Sequence, residues 1–232
     1  MSPIKSSTLE EAILADPRRY WILAGVAMAA AVLLRLAYLA ADPPWDFTWS
    51  QALFTDGARA IDGARTKVVF GAWIPDMRSP VVLFYPLVNM LAFVIFKAGG
   101  VGLAQANLVG VLPGLAAVIL AFYWLRRLEG PLGGLVGLIL LAFPYLLVIY
   151  GRVPMVESLL VLMLLAGFYA ALRGPRGMFA AGLLCGLAAF MVKMHALHFA
   201  PVVVVFALLD RRPEGGGRKA VQIGAFLAGL AV

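Results

Sequence analysis

The stretch YWILAGVAMAAAVLLRLAYLAA, residues 20–41, decides how the rest of the chain is read. Its 22 residues carry a single charge, Arg35. At about 1.5 Å of rise per residue it would reach about 33 Å as a helix, enough for the ~30 Å hydrocarbon core of a bilayer. It is longer than the roughly 7 to 15 apolar residues of a signal peptide, and no small-x-small cleavage pattern precedes Asp42. A retained membrane span is therefore expected. Further apolar runs follow at about 80–97, 103–125, 131–150, 153–172, 177–192, 194–209 and 220–232. Composition agrees: 63% of residues are hydrophobic and 13% charged, with a mean hydropathy of +0.94. Soluble domains carry about 25% charged residues, so an all-α integral membrane protein is expected. Disorder, collagen, coiled coil and a disulfide scaffold are excluded, the last because Cys185 is the one cysteine. The run 220–232 ends without a polar anchor, so the chain is expected to be a C-terminally truncated fragment.

The net charge of +7 would suggest nucleic acid in a soluble protein. In a membrane chain it reports topology first, because cytoplasmic loops are enriched in lysine and arginine. Lys5, Arg18 and Arg19 put segment 1–19 in the cytoplasm. If every later run crossed, eight basic residues (Arg126, Arg127, Arg173, Arg176, Arg211, Arg212, Arg218 and Lys219) would lie outside, inverting the rule. If the run 80–97, interrupted by Pro86 and Asn89, lies in the outer interface instead, those eight return inside. The expected architecture is thus seven spans (20–41, 103–125, 131–150, 153–172, 177–192, 194–209 and 220–232) with a long extracytoplasmic loop over 42–102. The runs 177–192 and 194–209 are short and could form a shallow hairpin without changing the parity.

With that parity, loop 42–79, the turn Arg152–Glu157 and the turn Lys193–His198 share the extracytoplasmic face. The first loop holds Asp42, Asp46, Asp56, Asp62 and Asp76 among interface aromatics such as Trp45, Trp49 and Trp73, with a short amphipathic helix expected around Gly57 to Arg65. Each candidate also has a plain structural reading. Asp56 could cap that helix, and Glu157 could complement a helix dipole behind Pro154. Arg152 and Lys193 could anchor span ends in the headgroups, and Arg35 could snorkel or meet a buried partner. His195 and His198 stand three apart on one helical face, a spacing that can bind metal, but without a local cysteine or carboxylate. Cys185 and glycines such as Gly182 and Gly186 fit close helix packing. Taken jointly, two carboxylates, an arginine and a lysine on one membrane face suggest chemistry on a lipid-linked phosphate. The cations would stabilise the phosphate while a carboxylate takes a proton from an incoming hydroxyl or amine.

These residues resemble a known family. Phe47-Thr-Trp-Ser50, Phe54-Thr-Asp-Gly-Ala58, Ala64-Arg65, Phe70-Gly-Ala-Trp73, Ser79-Pro80 and Gly100-Val-Gly-Leu-Ala-Gln-Ala106 are similar to the first-loop region of multispanning GT-C glycosyltransferases of the protein O-mannosyltransferase and aminoarabinose transferase group. Tyr150-Gly-Arg-Val-Pro-Met-Val-Glu157 and Val192-Lys193 resemble that group's later arginine–acid and lysine positions, so the likeness covers about residues 20–210. The resemblance implies a many-helix GT-C-like bundle with juxtamembrane helices in the first loop, and transfer of a sugar from a polyprenyl-phosphate donor. The family's first-loop motif is an Asp-Glu pair followed by an aromatic and Ala-Arg. Asp56 and Ala64-Arg65 match it, whereas Gly57 stands for the glutamate and Ala60 for the aromatic.

The expected function is inverting glycosyl transfer at the extracytoplasmic face of a bacterial or archaeal plasma membrane. Asp56 would be the general base, Arg152 and Lys193 would hold the donor phosphate, and Glu157 would orient the acceptor or a divalent metal ion. Asp62 and His195 are further substrate-binding candidates. The acceptor would be a lipid, glycan or protein, and no nucleic-acid partner is expected. The alternatives are a non-catalytic lipid-binding or scaffolding protein of the same fold, prompted by Gly57 and Ala60, and a transporter. A transporter would place ionisable groups near the membrane midplane, whereas here charges gather at span ends.

Overall fold

The computed structural model describes residues 16–41, 52–73, 85–209 and 216–232, and these are helical with no strand among them. Helix α1 (Pro17–Leu36) starts where the Asp16 carboxylate accepts from the Arg18 amide at 2.9 Å and Pro17 takes the first turn. It ends as Ala37 turns extended, ahead of a 3-10 turn at Leu39–Ala41. Helix α2 (Ala52–Phe70) occupies the first loop, and α3 (Pro86–Gly99) packs against it. The described part of the apolar run expected over 80–97 is thus a helix opened by Pro86. The aspartates Asp42, Asp46 and Asp76 lie outside the described residues, as do residues 210–215.

The longest element, α4 (Leu103–Ala142), is two helices sharing one break. Gly130 has φ 77° and Pro131 follows it, a left-handed residue and a ring that together redirect the backbone. A β-carbon on Gly134 would come within 2.6 Å of the Arg126 Cβ and 3.2 Å of the Phe122 carbonyl oxygen. Residues 12 apart in a straight helix would be about 18 Å apart, so arm 131–142 folds back along arm 103–129 as an antiparallel hairpin. The run expected as one piece over 131–150 is further divided at Phe143 and Pro144, after which α5 (Tyr145–Tyr150) starts. Proline there cannot supply the amide that continuation needs.

Next come α6 (Val156–Ala171), α7 (Pro175–Met191), a 3-10 turn at Met194–Phe199, α8 (Ala200–Leu209) and α9 (Gly216–Leu230). The run 194–209 is therefore a tight turn followed by a short helix. Small residues set the α7–α9 contact: a side chain on Gly182 or Gly229 would strike the facing backbone at Phe226 or Phe179. Cys185 is buried in this packing and donates to the Ala196 carbonyl at 3.4 Å.

Two apolar clusters result. One joins α1 to both arms of α4 through Tyr20, Ala24, Ala31, Phe122, Leu135 and Leu138. The other runs from α2 and α3 through α6, α7 and α9. Two helices, Pro17–Leu36 and Leu103–Ala142, are long and apolar enough to cross a membrane. Large apolar side chains face outward along them, among them Ile22, Val26 and Leu33 of α1 at 64 to 66% exposure, as lipid-facing helices require and water-facing ones rarely permit.

Contacts sort the helix ends into two groups. Arg126 stacks on Tyr20 and Trp21, and Arg127 reaches Tyr169, so the start of α1, the Gly130 turn and the α6–α7 turn share one end of the bundle. The end of α1, the start of α4, the α5–α6 turn and the α7–α8 turn share the other. The candidate site lies at this second end.

Candidate functional site

Glu157, in the first turn of α6, and Lys193, just beyond α7, form an ion pair with Lys193 Nζ 2.5 Å from Glu157 Oε1. Their side chains are 38% and 31% exposed, so both charges are partly withdrawn from water. The second carboxylate oxygen, Oε2, is buried without a hydrogen-bond partner. Glu157 also lines a cavity of about 110 Å³, whose other walls include Arg35, Gly114, Leu147, Tyr150 and Ser158.

Arg35 forms the cationic wall of that cavity. At 1% exposure it is fully buried, and its guanidinium donates to the carbonyls of Ala31 (3.2 Å), Ala142 (2.9 Å) and Leu141 (3.5 Å). Ala142 and Leu141 end the returning arm of α4, where carbonyls lack helical partners, so Arg35 caps that arm from α1. Its Nε remains unpartnered. The closeness of Gly151, where a β-carbon would lie 3.5 Å from this Nε, leaves the guanidinium edge uncovered by a side chain. One mostly apolar cavity is thus bordered by a buried cation and a carboxylate oxygen that both have unused hydrogen-bonding capacity.

Arg152 makes the reciprocal contact. Its guanidinium donates to the carbonyls of Leu34 and, at 2.6 Å, Ala37, the end of α1. The two arginines therefore lock α1 to the α4–α5–α6 region from opposite directions. This fixes the wall of the cavity and brings a second guanidinium to the same end of the bundle.

Asp56 belongs to α2, and its side chain lies outside the described residues. Its neighbour Gly57 is buried against the α5–α6 turn: a β-carbon there would lie 3.1 Å from the Pro154 carbonyl oxygen. Asp56 is therefore carried on a backbone that touches the turn leading into Glu157. The same packing constrains positions 57 and 60. Glutamate at 57 would have to displace Pro154, and Ala60 is fully buried in the core, where an aromatic ring would not fit without moving α2.

Asp62 pairs with Arg65 at 3.5 Å on the solvated side of α2, both side chains being more than half exposed. His195 is exposed in the 3-10 turn, its ring centroid 5.7 Å from that of His198. Neither joins the Glu157–Lys193 pair. Among the described residues, no group of three or more His, Cys, Asp or Glu could hold a metal ion. The histidine pair lacks a third ligand and Glu157 Oε1 is engaged by Lys193, so these residues do not fit the divalent ion that the family resemblance leaves open.

Further residues outside the sequence-based candidate set matter here. Tyr150 and Ser158 line the cavity, and Ser158 could have been suspected from its place beside Glu157. Asn89, seen in the sequence only as an interruption of an apolar run, ties α3 to α2 through the carbonyl of Ala60 and the amide of Ala64.

Removing the partners of the ion pair singly and together isolates its strength. In reversible unfolding in mixed micelles, a Glu157→Gln and Lys193→Met cycle should give a coupling of about 0.5–1 kcal/mol, because water still reaches both groups. A coupling indistinguishable from zero would mean that the contact does not persist in solution.

Compared with known proteins, the chain matches no family model, no curated protein and no solved structure.

Proposed function

We propose that this chain is a membrane-embedded GT-C-like glycosyltransferase, moving a sugar from a polyprenyl-phosphate donor to an acceptor hydroxyl or amine at the extracytoplasmic face. The observation that carries this reading is the Glu157–Lys193 pair at the edge of a mostly apolar cavity that also contacts the Arg35 guanidinium. A polyprenyl-phosphate donor has matching chemistry: an anionic phosphate at the end of an apolar chain.

In the proposed step Asp56 accepts the proton of the acceptor nucleophile as that atom bonds to the anomeric carbon from the face opposite the phosphate. The bond between the anomeric carbon and the phosphate oxygen breaks, and its electron pair leaves with polyprenyl phosphate. Inversion follows from the single displacement. Lys193 stabilises the charge growing on the leaving phosphate, and Arg152 adds positive charge at the same end of the bundle. Glu157 holds Lys193 in position and offers Oε2 to orient the acceptor.

The second reading is a non-catalytic lipid-binding protein of the same fold. It is favoured by Gly57 and Ala60, which serve packing where the family motif has a glutamate and an aromatic. The two separate on one experiment. The full-length protein, reconstituted with labelled polyprenyl-phosphate sugar and a membrane extract as acceptor source, is assayed for bound donor and for released polyprenyl phosphate. Release with label appearing on an acceptor supports transfer. Saturable binding without release supports the second reading, and absence of both overturns each.

A further inference from the structure

We propose that the opposite end of the bundle binds the phosphodiester headgroup of an anionic glycerophospholipid at Arg127, Tyr169 and Arg173. This depends on the chain lying in a membrane and is independent of glycosyl transfer. Arg127 sits at the last turn before the Gly130 break, and its Nη1 is 3.5 Å from the Tyr169 hydroxyl. Arg173, in the α6–α7 turn, holds its guanidinium carbon 4.6 Å from the centre of the same ring. Two like charges thus converge on one tyrosine from two separate segments, an arrangement that costs Coulomb energy unless an anion is shared between them.

Among the described residues no carboxylate neutralises them. Asp16 is taken by Arg19 at 3.4 Å, and Glu129 forms no ion pair with another described residue. Arg126, one residue from Arg127, is spent differently, its guanidinium carbon lying 4.4 Å from the Trp21 ring centre. The Tyr169 oxygen accepts from Arg127, so its own O–H remains available to donate. Two guanidiniums and one hydroxyl make a donor set suited to phosphate oxygens.

The surface leading away from this point is apolar. Ile119 and Tyr123, 41% and 55% exposed, precede Arg127 at steps of four residues along one face of α4. Val161, 42% exposed, and Leu165, which at their other end line the cavity beside Glu157, lead in the same way to Tyr169 on α6, which packs beside α4. Paired apolar stripes ending in cations match a lipid, whose acyl chains follow the helices while its headgroup meets the arginines. A free phosphate ester would use the cations alone and leave the stripes without a role.

The test is native mass spectrometry of the full chain released from equimolar phosphatidylcholine and phosphatidylglycerol. The wild-type chain should retain phosphatidylglycerol in preference to phosphatidylcholine. Arg127→Gln should lower that retention about fivefold and its combination with Arg173→Gln about 25-fold. The double lysine variant should keep most of the retention, since charge persists, and Lys97→Gln, a cation elsewhere on the chain, should leave it unchanged. Equal retention of both lipids by the wild type, or undiminished phosphatidylglycerol in the double glutamine variant, would overturn the proposal. So would a loss in the double lysine variant as deep as in the double glutamine one, or displacement of the lipid by free glycerol 3-phosphate.

Discussion

Asp56→Asn in the full-length protein is expected to lower sugar transfer about 10²–10⁴-fold while leaving membrane insertion and donor binding intact, the range typical for loss of a general base. Asparagine keeps the size and hydrogen-bonding reach of aspartate but cannot take the acceptor's proton. Gly57, the next residue, rests on the Pro154 carbonyl and holds this part of α2 against the turn that introduces Glu157. Asp62→Asn is the matched control. That carboxylate lies on the solvated side of the same helix in an i,i+3 pair with Arg65, so its loss should leave turnover within about twofold. Transfer, donor binding and expression are measured together. Full activity in Asp56→Asn would remove the residue from the mechanism, and an equal loss in both variants would point to a general effect on α2.

The helical class was legible because apolar runs near bilayer length leave few other folds, and the main breaks had chemical markers. Gly130-Pro131 and Phe143-Pro144 both interrupt helix where proline removes the backbone donor. Hydropathy could not tell which helices lie side by side, since every apolar face looks alike to it. The reversal at Gly130, the Gly182 and Gly229 contacts and the division of 194–209 into turn and helix depend on individual backbone angles and small residues. Windows of about 20 residues average such details away.

The site was legible in the same uneven way. Sorting basic residues by loop singled out Arg152 and Lys193, and the contacts bring Lys193 to Glu157 across 36 positions of chain. Arg152 also donates to the end of α1, a contact that no loop-by-loop reading could reveal. Arg35 shows the same limit. A lone arginine inside an apolar run reads as snorkelling or as meeting a buried partner, and here it meets one, fully buried because the end of a distant helix leaves carbonyls in need of donors. Polar residues in apolar segments advertise that a partner exists, and the partner's identity is a tertiary fact.

Asn89→Leu carries that point into a measurable consequence. The Asn89 Oδ1 accepts from the Ala64 amide at 2.9 Å, and its Nδ2 donates to the carbonyls of Ala60 at 2.6 Å and Tyr85 at 3.1 Å. Ala64 N–H and Ala60 C=O stand one helical turn apart, and the side-chain amide of a neighbouring helix bonds to both. At 1% exposure Asn89 does this out of water, where each unmet group costs about 1–3 kcal/mol. Leucine fills a similar volume but offers neither donor nor acceptor. The three bonds that the Asn89 amide makes are then lost in a buried setting, and α2 is free to shift against α3. The chain should lose about 2–3 kcal/mol of stability. Because α2 carries Asp56, a shift of about 1 Å there should also cost about 10² in transfer. Unfolding in mixed micelles reads the first effect and donor turnover at a temperature well below the unfolding midpoint reads the second. Lost stability with full turnover would uncouple α2 from the chemistry, whereas an unchanged midpoint would mean that the Asn89 bridge does not hold the helices together.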